Sequence, residues 1–156
     1  MGECVIYIAH RGNIDGPNPS RENDPVYIDE ALKLGYDVEV DVWFDRDHGW
    51  WLGHDAPVYN ITEEFLVTPN LWLHCKNYKA LYRMSQRTDF HPLHYFWHQN
   101  DDYTLTSKNV IWCYPGIDIS LEYKNNAVIV MPEISLHDTT GYGAVCSDYV
   151  ESMKND

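Results

Sequence analysis

Basic residues are scarce in this chain. Against 24 Asp and Glu stand only 11 Lys and Arg, a formal net charge of −13 over 156 residues. Such a surface repels polyanions and lacks the phosphate-neutralising term that dominates nucleic-acid binding, so DNA and RNA are not expected partners. Long apolar runs are missing too. None approaches the roughly 20 residues that span a bilayer, and no transmembrane segment is expected. The opening Met1-Gly2-Glu3-Cys4 has no basic stretch followed by an apolar core, and Ile6 stands where a myristoylation signal needs Ser or Thr. A soluble, cytoplasmic protein is the expectation. Cys4, Cys75, Cys113 and Cys146 are too far apart for a CxxC metal or redox motif. Each lies in or beside an apolar run and reads as a buried free thiol, in keeping with a reducing compartment. No Pro/Gly/Ser-rich linker interrupts the chain, so residues 1–156 read as a single domain.

What is present is a series of short β-rich runs, about twenty residues apart. The candidates are Val5 to Ala9, Val38 to Phe44, Trp50 to Gly53, Leu71 to Cys75, His94 to His98, Val110 to Tyr114, Val128 to Met131 and Ala144 to Ser147. Several are continuously apolar, as expected of strands covered on both faces in a parallel or barrel arrangement. Helical patterns are fewer: Pro25 to Leu34, stopping at Gly35, Lys79 to Gln86, and one turn at Thr62 to Leu66. Between Phe44 and Trp50 the turn residues are too few for a helical crossover, so the chain is expected to double back and bring the end of the returning strand, near His54, towards Asp41.

Polar residues cluster where these runs stop: His10-Arg11-Gly12, Glu22-Asn23, Glu39-Val40-Asp41 and His54-Asp55. Glu39 and Asp41 are two apart on a strand and point to the same face. At about 5 Å and an effective dielectric of about 20, two carboxylates repel by roughly 3 kcal/mol, a large share of a domain's net stability. A divalent cation, a shared proton, Arg11 or Lys76 would relieve this; the competing reading is a solvated face with only Val38, Val40 and Val42 buried. His10 and His54 are suited to proton transfer near neutral pH, one taking a proton from an attacking hydroxyl and the other giving one to a leaving oxygen.

The motifs I-A-H-R-G at Ile8 to Gly12, E-N at Glu22-Asn23, G-x-D-V-E-V-D-V at Gly35 to Val42 and G-H-D at Gly53 to Asp55 resemble, in order, those of the glycerophosphodiester phosphodiesterases. Related enzymes are the bacterial phosphatidylinositol-specific phospholipases C and the sphingomyelinase D group. The resemblance extends more weakly to Leu73-His74-Cys75-Lys76 and Val145 to Tyr149. It implies an α/β fold, a reduced (β/α)₈ TIM-type barrel with several outer helices shortened or missing, because such barrels usually need about 250 residues. A homodimer would cover the bared flanks. It also implies metal-dependent hydrolysis of a small phosphodiester, with an adjacent substrate hydroxyl attacking first to give a cyclic phosphate. His10 and His54 match the acid and base, Glu39 and Asp41 the metal ligands, and Arg11 a phosphate contact. His74 stands where the family has a third acidic ligand. The implied cofactor is Mg²⁺ or Ca²⁺, with Mn²⁺ or Zn²⁺ admitted by the His74 imidazole. Lys76 shares the face of His74 as a second phosphate contact, and His98, at the end of Tyr95-Phe96-Trp97, is a further candidate for the same mouth.

The alternative is a weak or inactive barrel that binds a phosphorylated ligand; an aromatic rim serving carbohydrate binding is a third reading. Trp43, Trp112, Tyr114 and Tyr149 are candidates for cradling an alcohol headgroup. Glu133 and Asp148, also at strand ends, read as surface carboxylates before they read as ligands. His48, His91, His94 and His137 are assigned no chemistry.

Overall fold

The computed structural model describes residues 4–87 and 92–155, so His91 lies outside the described residues. Among these residues ten strands form one sheet: β1 (Ile6–His10), β2 (Asp37–Asp45), β3 (Gly49–Leu52), β4 (Tyr59–Ile61), β5 (Leu71–Cys75), β6 (Tyr95–Trp97), β7 (Tyr103–Leu105), β8 (Ile111–Cys113), β9 (Ala127–Val130) and β10 (Ala144–Ser147). Seven of them run parallel in the order β6-β5-β2-β1-β10-β9-β8. The β3/β4 hairpin continues antiparallel from the far end of β2, and β7 is antiparallel to β8.

The expected TIM-type barrel is not what forms. The architecture is a curled, mixed half-barrel with few helices. Among the described residues only the α-helices α1 (Pro25–Lys33) and α2 (Tyr78–Ser85) exceed a turn and a half; α3 (Pro132–Ser135) and α4 (Val150–Lys154) are single turns, and 3₁₀ segments cover Glu63–Val67 and Leu121–Asn126. A parallel crossover with its own helix needs a dozen or more residues, and the connections after β6, β7 and β8 are too short or too polar for one. Among the described residues no ladder closes the gap beyond β6. It is bridged instead by Ser107 N donating to the Tyr95 carbonyl (2.9 Å) and Thr104 Oγ1 donating to the Trp97 carbonyl (3.0 Å). Among the described residues no helix is long and apolar enough to cross a membrane.

Local chemistry accounts for the two real helices. Asp24 caps α1 by accepting from Val26 N (2.9 Å) ahead of Pro25, and the helix stops before Gly35, whose φ of 94° is left-handed. Asn77 caps α2 through Ala80 N (3.0 Å) and also donates to the Phe44 carbonyl (2.9 Å), tying the helix start to β2. Together the two helices cover the convex side of β2 and β5, and α4 packs on β1. There Val38, Val40, Val42 and Leu73 are wholly buried against Ile28, Ala31, Ala80 and Met84. Each such side chain stabilises the fold by about 1.5–3 kcal/mol relative to exposure. Behind β8 to β10 no long helix lies; Cys113, Ala127, Ile129 and Val145 are covered by Tyr142, Ile119 and Met153 from loops and the last turn.

The concave face has two layers. Towards the strand N-termini it is apolar and aromatic, with Ile8, Trp72, Phe96, Trp112 and Val128. Towards the C-termini it is polar, because the same alternation carries His10, Glu39, Asp41 and His74 onto that side, and parallel pairing sets His10 beside Glu39 and Asp41 beside His74.

Candidate active site

The polar layer opens into a cavity of about 510 Å³. His10, Arg11, Glu39, Asp41, His54, His74, Lys76 and His98 all line it, together with Gln99, Asn100, Trp112 and Tyr114. The eight residues assigned catalytic, metal-binding or phosphate-binding roles from the sequence therefore all line one hollow. A larger groove of about 1180 Å³ runs along α2, but aromatic and mostly basic side chains line it and none of these groups does.

Glu39 and Asp41 are 2 % and 1 % exposed, which removes the reading of a solvated strand face. Asp41 is held on two sides: Asn23 Nδ2 donates to its Oδ2 (2.9 Å), Asn23 Oδ1 accepts from its backbone N–H (2.9 Å), and Arg11 Nε stands 3.5 Å from Oδ2. Arg11 is in turn clamped by Glu22 Oε1 (3.1 Å). The E-N motif thus fixes the orientation of the carboxylate and the guanidinium, a task its position alone did not disclose. Asn23 and Arg11 do this with left-handed φ values of 67° and 58°, the kind of backbone strain that gathers at functional sites.

His74 Nδ1 lies 3.3 Å from both Glu39 Oε2 and Asp41 Oδ1, and its Nε2 donates to the His98 carbonyl (2.9 Å). Burial disfavours the imidazolium, but the Asp41 and Glu39 carboxylates outweigh it and push the His74 pKa up to about 9. Asp41 moves the other way: burial would raise its pKa, and His74, Asn23 and Arg11 together hold it below the ordinary carboxylate value. Glu39 Oε1 and Asp41 Oδ1 are buried with no hydrogen-bond partner. Ligand atoms of Glu39, Asp41 and His74 lie within 4.8 Å of one another. Two buried, unpartnered carboxylate oxygens beside an imidazole nitrogen fit a divalent cation, because each orphaned oxygen otherwise costs free energy.

His10 has a partner that its sequence neighbourhood did not reveal. Its Nδ1 is 2.8 Å from Asp148 Oδ1, and Asn13 Nδ2 donates to the same oxygen (2.9 Å). Asp148 is only 6 % exposed, so it is a buried orienting group and not a surface carboxylate. Desolvation opposes charging of His10, yet Asp148 and Glu39 prevail and its pKa is raised. Glu133 is half-buried and accepts from Ser147 Oγ (2.9 Å), which places it beside the last strand end as a brace. The only signal for either carboxylate was its position after an apolar run.

His54 sits on the outer lip with its Nδ1 2.7 Å from Asp55 Oδ1. Lys76 lines the cavity and has no ion-pair partner among the described residues. His98 turns its Nε2 to the Asp101 carbonyl and meets Tyr114 edge-on at 5.7 Å, so its clearest contribution is the backbone oxygen offered to His74. Of the four aromatic residues expected at a rim, Trp112 and Tyr114 reach the cavity. Trp43 instead donates to the Gly53 carbonyl, and Tyr149 packs near Gly16. His94, assigned nothing from the sequence, lies tilted against Trp72 (centroids 4.0 Å, 39°) with Nε2 2.7 Å from Thr106 Oγ1. Three cysteines are buried as expected; Cys4 is exposed because it precedes β1 and faces no second layer.

Compared with protein-family models, curated proteins and solved structures, the chain matches none.

Proposed function

We propose that this chain is a metal-dependent phosphodiesterase acting on a small glycerophosphodiester or a related phosphoester. The observation that carries the reading is the gathering of His10, Arg11, Glu39, Asp41, His54, His74 and Lys76 around one cavity from strand ends far apart in the chain. Glu39, Asp41 and His74 would hold a divalent cation, which supplies charge stabilisation for the nonbridging phosphoryl oxygens.

The chain's own groups carry the protons. His10, with Nδ1 fixed on Asp148, is left with Nε2 for exchange, and Asp148 and Glu39 shift it towards the charged form that can donate. His54, on the lip, takes the proton of the attacking hydroxyl. The new O–P bond closes a cyclic phosphate as the P–O bond to the leaving alcohol breaks, and His10 gives that alkoxide its proton; water then opens the ring, losing a proton to His10 while His54 returns its own to the freed hydroxyl, and glycerol phosphate leaves. Lys76 and Arg11 offset the charge on the phosphoryl group, Lys76 as an unpaired point charge and Arg11 from within its clamp.

Release of glycerol phosphate from a glycerophosphodiester, with and without chelator, tests the proposal. Chelator should abolish turnover, and His10→Ala should lower it by about 10²–10⁴-fold. The loss should be smaller with a nitrophenyl diester, whose leaving group needs no acid. Turnover that survives both chelator and His10→Ala overturns the reading. Saturable phosphate binding without turnover would replace it with the ligand-binding alternative.

A further inference from the structure

We infer that the cluster of Glu39, Asp41 and His74 is built for a first-row transition-metal dication, Mn²⁺ or Zn²⁺, in preference to Mg²⁺ or Ca²⁺, and that His74 Nδ1 is the deciding ligand. The ion's use in catalysis rests on the function proposed above; its identity rests on the geometry alone.

The tautomer of His74 is fixed by its surroundings. A backbone carbonyl only accepts, so the 2.9 Å contact with the His98 oxygen puts the hydrogen on Nε2. Phe96 stacks on the ring at 4.8 Å and 14°, which sets its plane. In the neutral ring Nδ1 therefore carries a lone pair, and that lone pair faces Glu39 Oε2 and Asp41 Oδ1, each 3.3 Å away. Three such atoms aimed at one point call for an electropositive centre between them: a proton on Nδ1 fills that place in the metal-free protein, and a dication would take it over. An imidazole whose far N–H is tied to a carbonyl is also the usual arrangement behind a metal-bound histidine.

The carboxylates point the same way. Asn23 occupies Asp41 Oδ2, leaving Oδ1 buried with no hydrogen bond and only His74 Nδ1 at 3.3 Å, and Glu39 Oε1 is buried with no hydrogen bond as well. Both oxygens keep lone pairs free for an ion. What they offer with His74 is one nitrogen and a few oxygens, held by strand backbones and not by a flexible loop. Ca²⁺ takes six to eight oxygens and Mg²⁺ dehydrates reluctantly into an all-oxygen octahedron, so the imidazole is wasted on either. It is a good ligand for Zn²⁺, and the mixed set suits Mn²⁺.

Calorimetric titration of metal-free protein with Mn²⁺, Zn²⁺, Mg²⁺ and Ca²⁺, without substrate, tests this. One Mn²⁺ or Zn²⁺ per chain is expected at a Kd at least about 100-fold below those for Mg²⁺ and Ca²⁺. His74→Asp, which makes the set all-oxygen, should narrow that gap by about tenfold or more, on the scale seen when metal-site residues are changed. Glu39→Gln should abolish tight binding, and His48→Ala, at an exposed imidazole, should leave it unchanged. Equal affinities, a preference retained in His74→Asp, or tight binding retained in Glu39→Gln would each overturn the inference. A ¹⁵N spectrum of the Zn²⁺-loaded wild type reads the ligand without any substitution, and an unshifted His74 Nδ1 resonance would also overturn it. Binding through His74 with no phosphodiester turnover would uphold this inference and remove the proposed function. Turnover supported equally by Mg²⁺ in wild type and in His74→Asp would do the reverse.

Discussion

His74 and His94 stand on the same concave face, on β5 and at the start of β6, and are driven to opposite charge states. Burial disfavours the charged form of both. In the upper layer two carboxylates overcome that penalty and push His74 up to about 9. In the lower layer His94 meets the Trp72 ring, a hydroxyl and the charge of Lys108, and burial followed by that charge lowers it to about 4. The strand alternation that delivers both imidazoles is the same. Their chemistry differs because one layer of the sheet is floored with aromatic rings and the next is lined with acids, so a single sheet face carries a neutral support below an ionic site.

The largest expected effect comes from removing the floor. Trp72→Ala should cost about 3–5 kcal/mol in urea denaturation, because it opens a cavity and deprives Asp37 Oδ2 of the indole N–H that donates to it at 2.9 Å. A loss under 1 kcal/mol would mean the two layers do not depend on each other. In the upper layer, Asp148→Asn should keep the fold and lower turnover by about 100-fold, since His10 loses the partner that holds its tautomer and charge. Unchanged turnover would separate His10 from the reaction.

The contrast between the two histidines also has a pH signature. His94 has a folded pKa of about 4 against an ordinary 6.5, so the unfolded chain binds its proton more readily, and stability is lost as pH falls from about 6.5 towards 4. Between pH 7 and 4.5 the wild type should lose about 1–2 kcal/mol more than His94→Gln, allowing for solvent screening of a partly exposed ring. Equal losses would place His94 outside the lower layer's energetics. Smallest of all, His48→Ala should change stability by less than about 0.5 kcal/mol, because that ring is 74 % exposed and paired only with Asp45.

Much of the site is legible from residue order, and for a physical reason. His10, Glu39/Asp41, His74 and His54 each follow or interrupt an apolar run, and parallel strands deliver their ends to one rim. The hairpin is legible as well: Asp45 to Gly49 is too short for anything else, and Gly53 N donates to the Asp41 carbonyl (3.1 Å) as the chain returns. What eluded the sequence is what covers the strands. Continuously apolar runs such as Ala127–Val130 say that both faces are buried, not whether helices or loops bury them. The chain length alone already argued against a full helical ring. Asp148 was unreadable for a different reason, since it meets His10 across 138 residues.

Residue order by itself determined which side chains share a face. Val38, Val40 and Val42 on one side of β2 and Glu39 and Asp41 on the other follow from the two-residue period of an extended backbone, a local covalent property. Only the tertiary structure decided that both of those faces are buried, that the sheet curls without closing, and that Asn23, His74 and Asp148 converge on the carboxylates and on His10. Those outcomes depend on sheet twist and on packing between distant segments, which no local period encodes.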